Sequence, residues 1–178
     1  MKTALTIQNL VKRYGNVEAV RGVSFDVAEG EVFGLLGPNG AGKTTTVECA
    51  IGLRHADSGR VEIAGVDVAL HPRRAKELFG AQLQTSALQD KITPREALRL
   101  FAAFYPRAAD VDGMLEQFDL LEKADQAFDT LSIGQRRRLE IAAALIHEPR
   151  VLFLDEPTAG MDPLGRREFH GLIARLAQ

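Results

Sequence analysis

The sequence has almost no cysteine, no bias of charge and no long apolar run, and each absence excludes a class of protein. Cys49 is the only cysteine among 178 residues, so no internal disulfide is possible and a reducing environment is predicted. The formal net charge of −2 gives no overall attraction to nucleic acid or anionic lipid. No stretch reaches the length that spans a bilayer, and residues 1–6 lack the apolar core of a secretory signal. A role at a membrane would therefore require a partner that spans it.

The remaining composition is that of an ordinary globular chain. Hydrophobic residues make up 46% and charged residues 26%, and a chain of this length can bury a full core. The sequence shows no internal repeat, low-complexity tract or flexible linker. We therefore predict a single domain.

A glycine-rich stretch, Gly37–Thr45, carries the pattern Gly-x-x-x-x-Gly-Lys-Thr. The apolar run Val32–Leu36 before it predicts a buried strand, and residues 45–51 after it predict a helix. A strand, this loop and a helix in succession are typical of a phosphate-binding loop.

The residue types in this loop suit a triphosphate. Glycines allow the backbone to approach phosphates without a Cβ in the way, and the amides at the helix start form an anion cradle. Lys43 is expected to contact the β- and γ-phosphates, and the Thr44 hydroxyl to bind Mg²⁺. The predicted phosphate-binding residues are Gly37, Pro38, Asn39, Gly40, Ala41, Gly42, Lys43, Thr44 and Thr45.

Two alternating stretches precede the loop and predict an antiparallel pair. They are Leu5–Val11 and Val17–Val27, with a turn at Gly15-Asn16. Tyr14 stands at this turn. Two interpretations remain open for its ring: a flat surface for an adenine base, or a turn aromatic packed on the sheet edge.

After the loop helix, the pattern predicts a strand over 60–65, a short helix over 72–77 and a strand over 78–83 that ends at Gln84. Residues 85–130 then show helical periodicity with no strand signal. Thr93-Pro94-Arg95-Glu96 has the form of a capped helix start. We interpret this region as a helical arm inserted into an α/β core.

The next helix is predicted to begin after Ser132, a good N-cap, and its free amides would form a second anion site. Arg136–Arg138 follow in sequence. A run of arginines is more often a solvated helix face than a binding patch for nucleic acid, and we favour the first interpretation.

A second apolar run, Val151–Leu154, predicts a buried parallel strand, and two acids, Asp155 and Glu156, follow it. Ligands of open α/β sheets bind at this end of the strands, so both acids are expected to face the phosphate loop. Asp155 is predicted to bind Mg²⁺, and Glu156 to polarise the water that attacks the γ-phosphate. A final helix is predicted over 164–176.

With these motifs, the sequence resembles the ATPase subunit of an ATP-binding cassette transporter over essentially its whole length. Leu131-Ser132-Ile133-Gly134-Gln135 closely matches the signature of that family, at the expected short distance before the two acids. The implied fold is an α/β P-loop NTPase (RecA-like) core with an N-terminal antiparallel β subdomain and an inserted α-helical subdomain. The core would comprise 1–84 and 131–178, and the helical subdomain 85–130.

The resemblance also implies roles for single residues. Tyr14 would stack on adenine, and Gln84 would contact Mg²⁺ and the attacking water. The signature residues Ser132, Gly134 and Gln135 would contact a nucleotide held by a second subunit, and Asp162 would help join the two sites. ATP and Mg²⁺ are the implied ligands.

The implied partners are a second ATPase subunit, in a homodimer or heterodimer, and a membrane-spanning permease that the helical arm touches. No nucleic acid is expected. The protein would lie peripherally on the cytoplasmic face of the plasma (inner) membrane and power transport by ATP hydrolysis. The sequences around Gln84 and Asp162 are similar to those of bacterial exporters of drugs, antibiotics or lipids. The alternatives are a cassette that binds ATP but hydrolyses it poorly, and a non-transport relative.

The sequence departs from the family pattern in two places. Ile133 replaces the usual first glycine of the signature, which is expected to weaken nucleotide sandwiching at most. The switch histidine of the family follows one more strand, whereas His170 lies inside the last predicted helix. We therefore expect the chain to be C-terminally truncated, with the last core strand missing and apolar surface exposed beside it.

Overall fold

The structure is a computed structural model that describes residues 2–83 and 88–177. It consists of two compact units, one formed by Met1–Phe79 with Ala177–Gln178 and the other by Gly80–Leu176. Each unit has its own set of buried apolar side chains.

The first unit contains a four-stranded antiparallel sheet in the order β2-β1-β3-β4. Its strands are β1 (Thr3–Tyr14), β2 (Val17–Ala28), β3 (Ser58–Ile63) and β4 (Val66–Asp67). Tyr14 pairs with Val17 across a tight turn in which Gly15 has a φ of 56°. A residue with positive φ is what such short hairpin turns require. The predicted antiparallel pair is confirmed, with β3 added on the other side of β1.

Two helices complete this unit, α1 (Lys43–Ala50) and α2 (Pro72–Lys76). Cys49 lies on the buried face of α1, and burial raises the pKa of its thiol. A neutral, buried thiol packs as a small apolar side chain. The cysteine is therefore part of the core of this unit.

The prediction of a buried strand at Val32–Leu36 is wrong for this structure. Residues 31–38 form no strand, and Val32 and Leu36 are 64% and 92% exposed. Phe33 stacks on Phe25, with ring centroids 4.7 Å apart. A strand needs a neighbouring strand to satisfy its backbone groups, and no strand in the described part of the chain pairs with this run.

The second unit contains a two-stranded sheet and most of the helices. Strands β5 (Phe79–Gln82) and β6 (Val151–Leu154) pair with each other. Its helices are α3 (Pro94–Ala102), α4 (Val111–Gln117), α5 (Ile133–Leu145) and α6 (Pro163–Leu176), with two short 3-10 helices at Leu121–Lys123 and Phe128–Thr130. The apolar run predicts a strand that is buried throughout, but of its residues only Phe153 is buried, because the sheet has two strands in the part of the chain that the structure describes.

The helix starts follow the sequence closely. Thr93 and Glu96 form the predicted capping box at α3, with Pro94 in the first turn. Asp110 caps α4 by accepting a hydrogen bond from the amide of Gly113 at 2.8 Å. The apolar faces of α3, α4, α5 and α6 share one core, whose largest fully buried members are Leu98, Leu115, Phe118, Leu120, Leu139, Ile141 and Ile146. Among the described residues, no helix has the length and hydropathy of a membrane span.

Candidate functional site

The phosphate-binding loop leads directly into α1. Lys43 is the first residue of the helix, and its Nζ donates hydrogen bonds to the carbonyl oxygens of Gly37 at 2.8 Å and Pro38 at 3.0 Å. The amide of Ala41 donates to the same Pro38 oxygen at 3.1 Å. The loop therefore curls around the lysine ammonium group, which stands in the middle of the predicted phosphate cradle.

Two glycines of the loop are in conformations that other residues rarely adopt. Gly40 and Gly42 have φ values of 81° and 85°, whereas Gly37 does not need a positive φ. The carbonyl of Gly42 accepts hydrogen bonds from both the amide and the hydroxyl of Thr46, each at 2.8 Å. A Cβ added to Gly42 would overlap the carbonyl oxygen of Ala19, while one added to Gly40 would meet nothing within 4 Å.

Replacement of Gly42 by Ala should therefore destabilise the protein more than replacement of Gly40 by Ala. Both variants incur the cost of positive φ, about 1–3 kcal/mol, but only the first adds a steric overlap with backbone. Chemical unfolding of the two variants measures the difference, and Gly40→Ala is the matched control. Equal losses in the free energy of unfolding would show that the contact with Ala19 does not restrain the loop.

The rest of the loop is accessible to a ligand. Asn39, Gly40 and Ala41 are exposed, Thr44 is exposed in the first turn of α1, and Thr45 is half-buried beside it. The N-terminal end of a helix carries partial positive charge that attracts phosphates. The loop thus combines an ammonium group, glycines with positive φ and a helix N-terminus, which together fit a triphosphate.

Tyr14 is the last residue of β1. Tyr14 is 42% exposed and is therefore not buried against the sheet. Lys12 and Arg54 place their cationic groups over the ring, 5.5 Å and 5.6 Å from its centroid. The sequence pattern indicates the tyrosine but neither of these two neighbours.

In the second unit, the signature stretch lies at the start of α5. Ser132 is the N-cap as predicted: its hydroxyl accepts from the amide of Gln135 at 3.2 Å, and the Gln135 side chain accepts from the amide of Ser132 at 3.0 Å. This capping box satisfies part of the anion site that was expected to be free. A Cβ at Gly134 would come no closer than 4.0 Å to any other group, so no contact in this unit demands glycine there.

The three arginines after the signature are bound within the chain. Arg136 donates to the carbonyl oxygens of Leu131 and Asp129 at 3.0 Å and 2.6 Å. Arg137 pairs with Glu140 at 2.7 Å, and Arg138 pairs with Asp119 and Glu168. The run is therefore not a free basic patch, because each guanidinium already has partners within the chain and is only half-exposed.

The two acids follow β6 as predicted. Asp155 is 8% exposed and its amide donates to the carbonyl of Gln82 at 3.0 Å, which holds it at the end of the two-stranded sheet. Glu156 is exposed and has a φ of 49°, a left-handed conformation that is uncommon for glutamate. Backbone strain of this kind is concentrated at functional sites.

The structure gives Asp162 a local role at the start of α6. Its carboxylate accepts from the amide of Gly165 at 2.7 Å, and its carbonyl accepts from Arg166. His170 is exposed within the same helix, as expected from the sequence. Gln84 lies outside the described residues.

No group of three or more metal-binding side chains occurs among residues 2–83 and 88–177. Mg²⁺ is usually held by one or two protein oxygens together with substrate phosphates and water. Each unit taken by itself offers an oxygen donor of this type, the Thr44 hydroxyl in the first and the Asp155 carboxylate in the second.

The fold and the loop define an α/β P-loop NTPase. Residues 20–159 match the ABC transporter family, and the chain belongs to this family. It is 43% identical to a daunorubicin resistance ATP-binding protein of Streptomyces coeruleorubidus over 171 residues, covering 93% of this chain and 54% of that protein. It is 42% identical to a Nod factor export ATP-binding protein of Burkholderia orbicola, covering 96% and 59%. The chain thus spans little more than half the length of these relatives.

Solved structures agree with this assignment. A subunit of the transporter complex cbiONQ from Clostridium perfringens superimposes with a TM-score of 0.86 at 28% identity, covering 99% of this chain and 74% of that one. An ATP-binding cassette of an ABC transporter in its ADP conformation gives a TM-score of 0.85 at 27% identity, covering 99% and 78%.

Proposed function

We propose that this chain binds and hydrolyses ATP as the nucleotide-binding subunit of an ABC transporter, in an exporter. The observation that carries the proposal is the loop itself, in which Lys43 donates to two carbonyl oxygens of the loop and Gly42 admits no side chain. A bound triphosphate would replace the carbonyl oxygens of Gly37 and Pro38 as partners of the ammonium group. This exchange would draw Lys43 onto the β- and γ-phosphates.

The remaining residues then have distinct chemical roles. Thr44 and Asp155 would hold Mg²⁺, which neutralises phosphate charge when bound. Glu156 would accept a proton from the attacking water, and its exposed carboxylate supports that role. Tyr14 would stack on the base, and Gln84 would orient the water and sense the γ-phosphate.

We assign the start of α5 to a nucleotide held by a second ATPase subunit. Ser132 and its neighbour Ile133 are exposed, so this end of the helix is accessible to another chain. Ser132 keeps its hydroxyl proton for donation because it only accepts within the capping box. Gly134 and Gln135 would complete the contact, and Asp162 would lie at the same interface, in a homodimer or heterodimer.

Export and the permease partner are supported by the relatives and by one surface. One relative is named for drug resistance and another for Nod factor export. Leu100, Phe104 and Leu121, in the helical region, are 49%, 69% and 47% exposed, which suits docking onto another protein. The corresponding location is the cytoplasmic face of the inner membrane, with the chain attached through its permease.

Mg-ATP is expected to stabilise the purified chain against thermal unfolding. At a concentration 100 times the dissociation constant, the gain in the free energy of unfolding should be about 2.7 kcal/mol. A thermal shift titration measures it, with Mg²⁺ alone as the control for metal effects. Absence of any shift at millimolar Mg-ATP would contradict the proposal. A shift without turnover would favour the alternative of a cassette that binds ATP but does not hydrolyse it.

A further inference from the structure

On the side that faces β3, the end of β1 is held by a carboxylate, while on the other side it stays paired with β2 as far as Tyr14. Strand β3 begins at Ser58, which pairs with Val11, so residues 12–14 extend past it. Beyond Ser58, Asp57 makes the hydrogen bonds to β1. Its amide donates to the Val11 carbonyl at 2.9 Å, and its Oδ2 accepts from the amide of Arg13 at 2.5 Å. The pairing of β1 with β2 is also irregular between Lys12 and Arg13. Asp57 therefore restrains the β3 side of the backbone that carries Tyr14.

The same carboxylate holds a cation over the tyrosine ring. Oδ1 of Asp57 lies 3.2 Å from Nζ of Lys12, whose side chain is only 15% exposed. The Arg13 amide, followed by Lys12, lowers the pKa of Asp57, so the carboxylate is ionised. Lys12 is thus kept in place by a charged partner while its ammonium group remains 5.5 Å from the centroid of Tyr14.

A second restrained cation connects the ring to α1. Arg54 lies over the Tyr14 ring, and its Nε is 2.6 Å from Oε2 of Glu48. The amide of Arg54 also donates to the Glu48 carbonyl at 3.1 Å. Glu48 belongs to the helix that begins at the phosphate-binding Lys43. Tyr14 is therefore linked through Arg54 and Glu48 to the helix that carries the phosphate loop.

We propose that Lys12, Tyr14 and Arg54 form one base-binding platform, in which Asp57 and Glu48 are positioning residues that hold the two cations. The inference rests on the proposed function, since its ligand is the base of a nucleotide whose triphosphate binds the loop. Stacking on an aromatic ring and cation–π contact with a guanidinium both act on the face of a base. Cations that are already restrained lose little freedom when a base arrives, which improves affinity without new contacts.

The test compares a ligand that has a base with one that lacks it. Dissociation constants are measured for Mg-ATP and for inorganic triphosphate with Mg²⁺, in the parent chain and in Asp57→Asn. The amide of Asn can still accept from the Arg13 backbone but carries no charge for Lys12. Asp57→Asn should weaken Mg-ATP binding by about 3- to 10-fold and leave triphosphate binding unchanged. Asp57→Glu, which keeps the charge, should restore part of the loss.

A matched control is available in the same unit. Asp67 also accepts two backbone hydrogen bonds, from Ala69 and Leu70, and pairs with Arg60 at 2.9 Å. Asp67→Asn should change neither dissociation constant. Arg54→Gln tests the platform through its other cation and leaves Asp57 intact. It should weaken the binding of Mg-ATP relative to that of triphosphate by a similar factor.

Several outcomes would overturn the inference. If Asp57→Asn weakened the binding of both ligands equally, the carboxylate would have a purely structural role. Unchanged ATP affinity in both Asp57→Asn and Arg54→Gln would show that the platform does not contribute to base binding. If the parent binds triphosphate as tightly as ATP, the base makes no contact and the inference fails while the proposed function survives. If the parent binds neither, the proposed function fails and the inference falls with it.

Discussion

Replacing Glu156 by Gln is expected to lower ATP turnover by about 100- to 10,000-fold while Mg-ATP binding stays intact. The amide has nearly the same shape as the carboxylate but cannot accept the proton of the attacking water. Because the γ-phosphate is then retained, the variant should also accumulate as a dimer in the presence of Mg-ATP. Phosphate release measures the first effect, and size-exclusion chromatography with and without nucleotide measures the second.

Glu148 offers a closely matched control for this substitution. It is also an exposed glutamate in a left-handed conformation, with a φ of 55° compared with 49° for Glu156. Glu148→Gln therefore makes the same change of carboxylate to amide, at a residue with a similar backbone conformation, and leaves the proposed catalytic residue unchanged. Turnover at the parent rate in Glu156→Gln would show that the assigned role is wrong.

Replacing Lys43 by Ala should weaken Mg-ATP binding by at least about 100-fold, since a charged group that donates to phosphate oxygens is lost. The same substitution removes the two hydrogen bonds from Nζ to the Gly37 and Pro38 carbonyls. A modest loss of stability without ligand is therefore expected as well. Isothermal titration calorimetry and ligand-free unfolding separate the two effects.

Lys76→Ala is the control for the loss of a positive charge in this unit. Lys76 is exposed on α2, away from the loop in sequence, and should change neither affinity nor stability appreciably. If Lys43→Ala bound Mg-ATP as tightly as Lys76→Ala, the loop would not be the phosphate site. The thermal shift expected for the parent chain would then need another explanation.

Local features of this protein were predictable because they depend on neighbouring residues. The capping boxes at Thr93 and Ser132 follow from side chains three residues apart, which reach each other in any helix start. The hairpin before the loop follows from alternation and from Gly15, and α1 follows from the glycine-rich pattern. The family could likewise be recognised from motifs alone, since its loop, signature and acids are short and contiguous.

Features that depend on distant neighbours were not predictable in the same way. The run Val32–Leu36 has the composition of a buried strand, but burial requires a partner, and no described strand pairs with it. The run Arg136–Arg138 predicts a solvated face, yet Arg138 pairs with Asp119 and Glu168, which are distant from it in sequence. Charge pattern alone does not reveal such pairs.

The amino-acid sequence by itself determined the phosphate loop, the helix caps and membership of the family, because each of these depends on residues that are close together in the chain. The tertiary structure alone decided what surrounds them. It places Asp57, which follows Tyr14 by 43 positions in sequence, against the end of β1, and it brings Arg54 over the Tyr14 ring. Only folding brings such distant residues within hydrogen-bonding and cation–π distance, and no local pattern encodes that proximity.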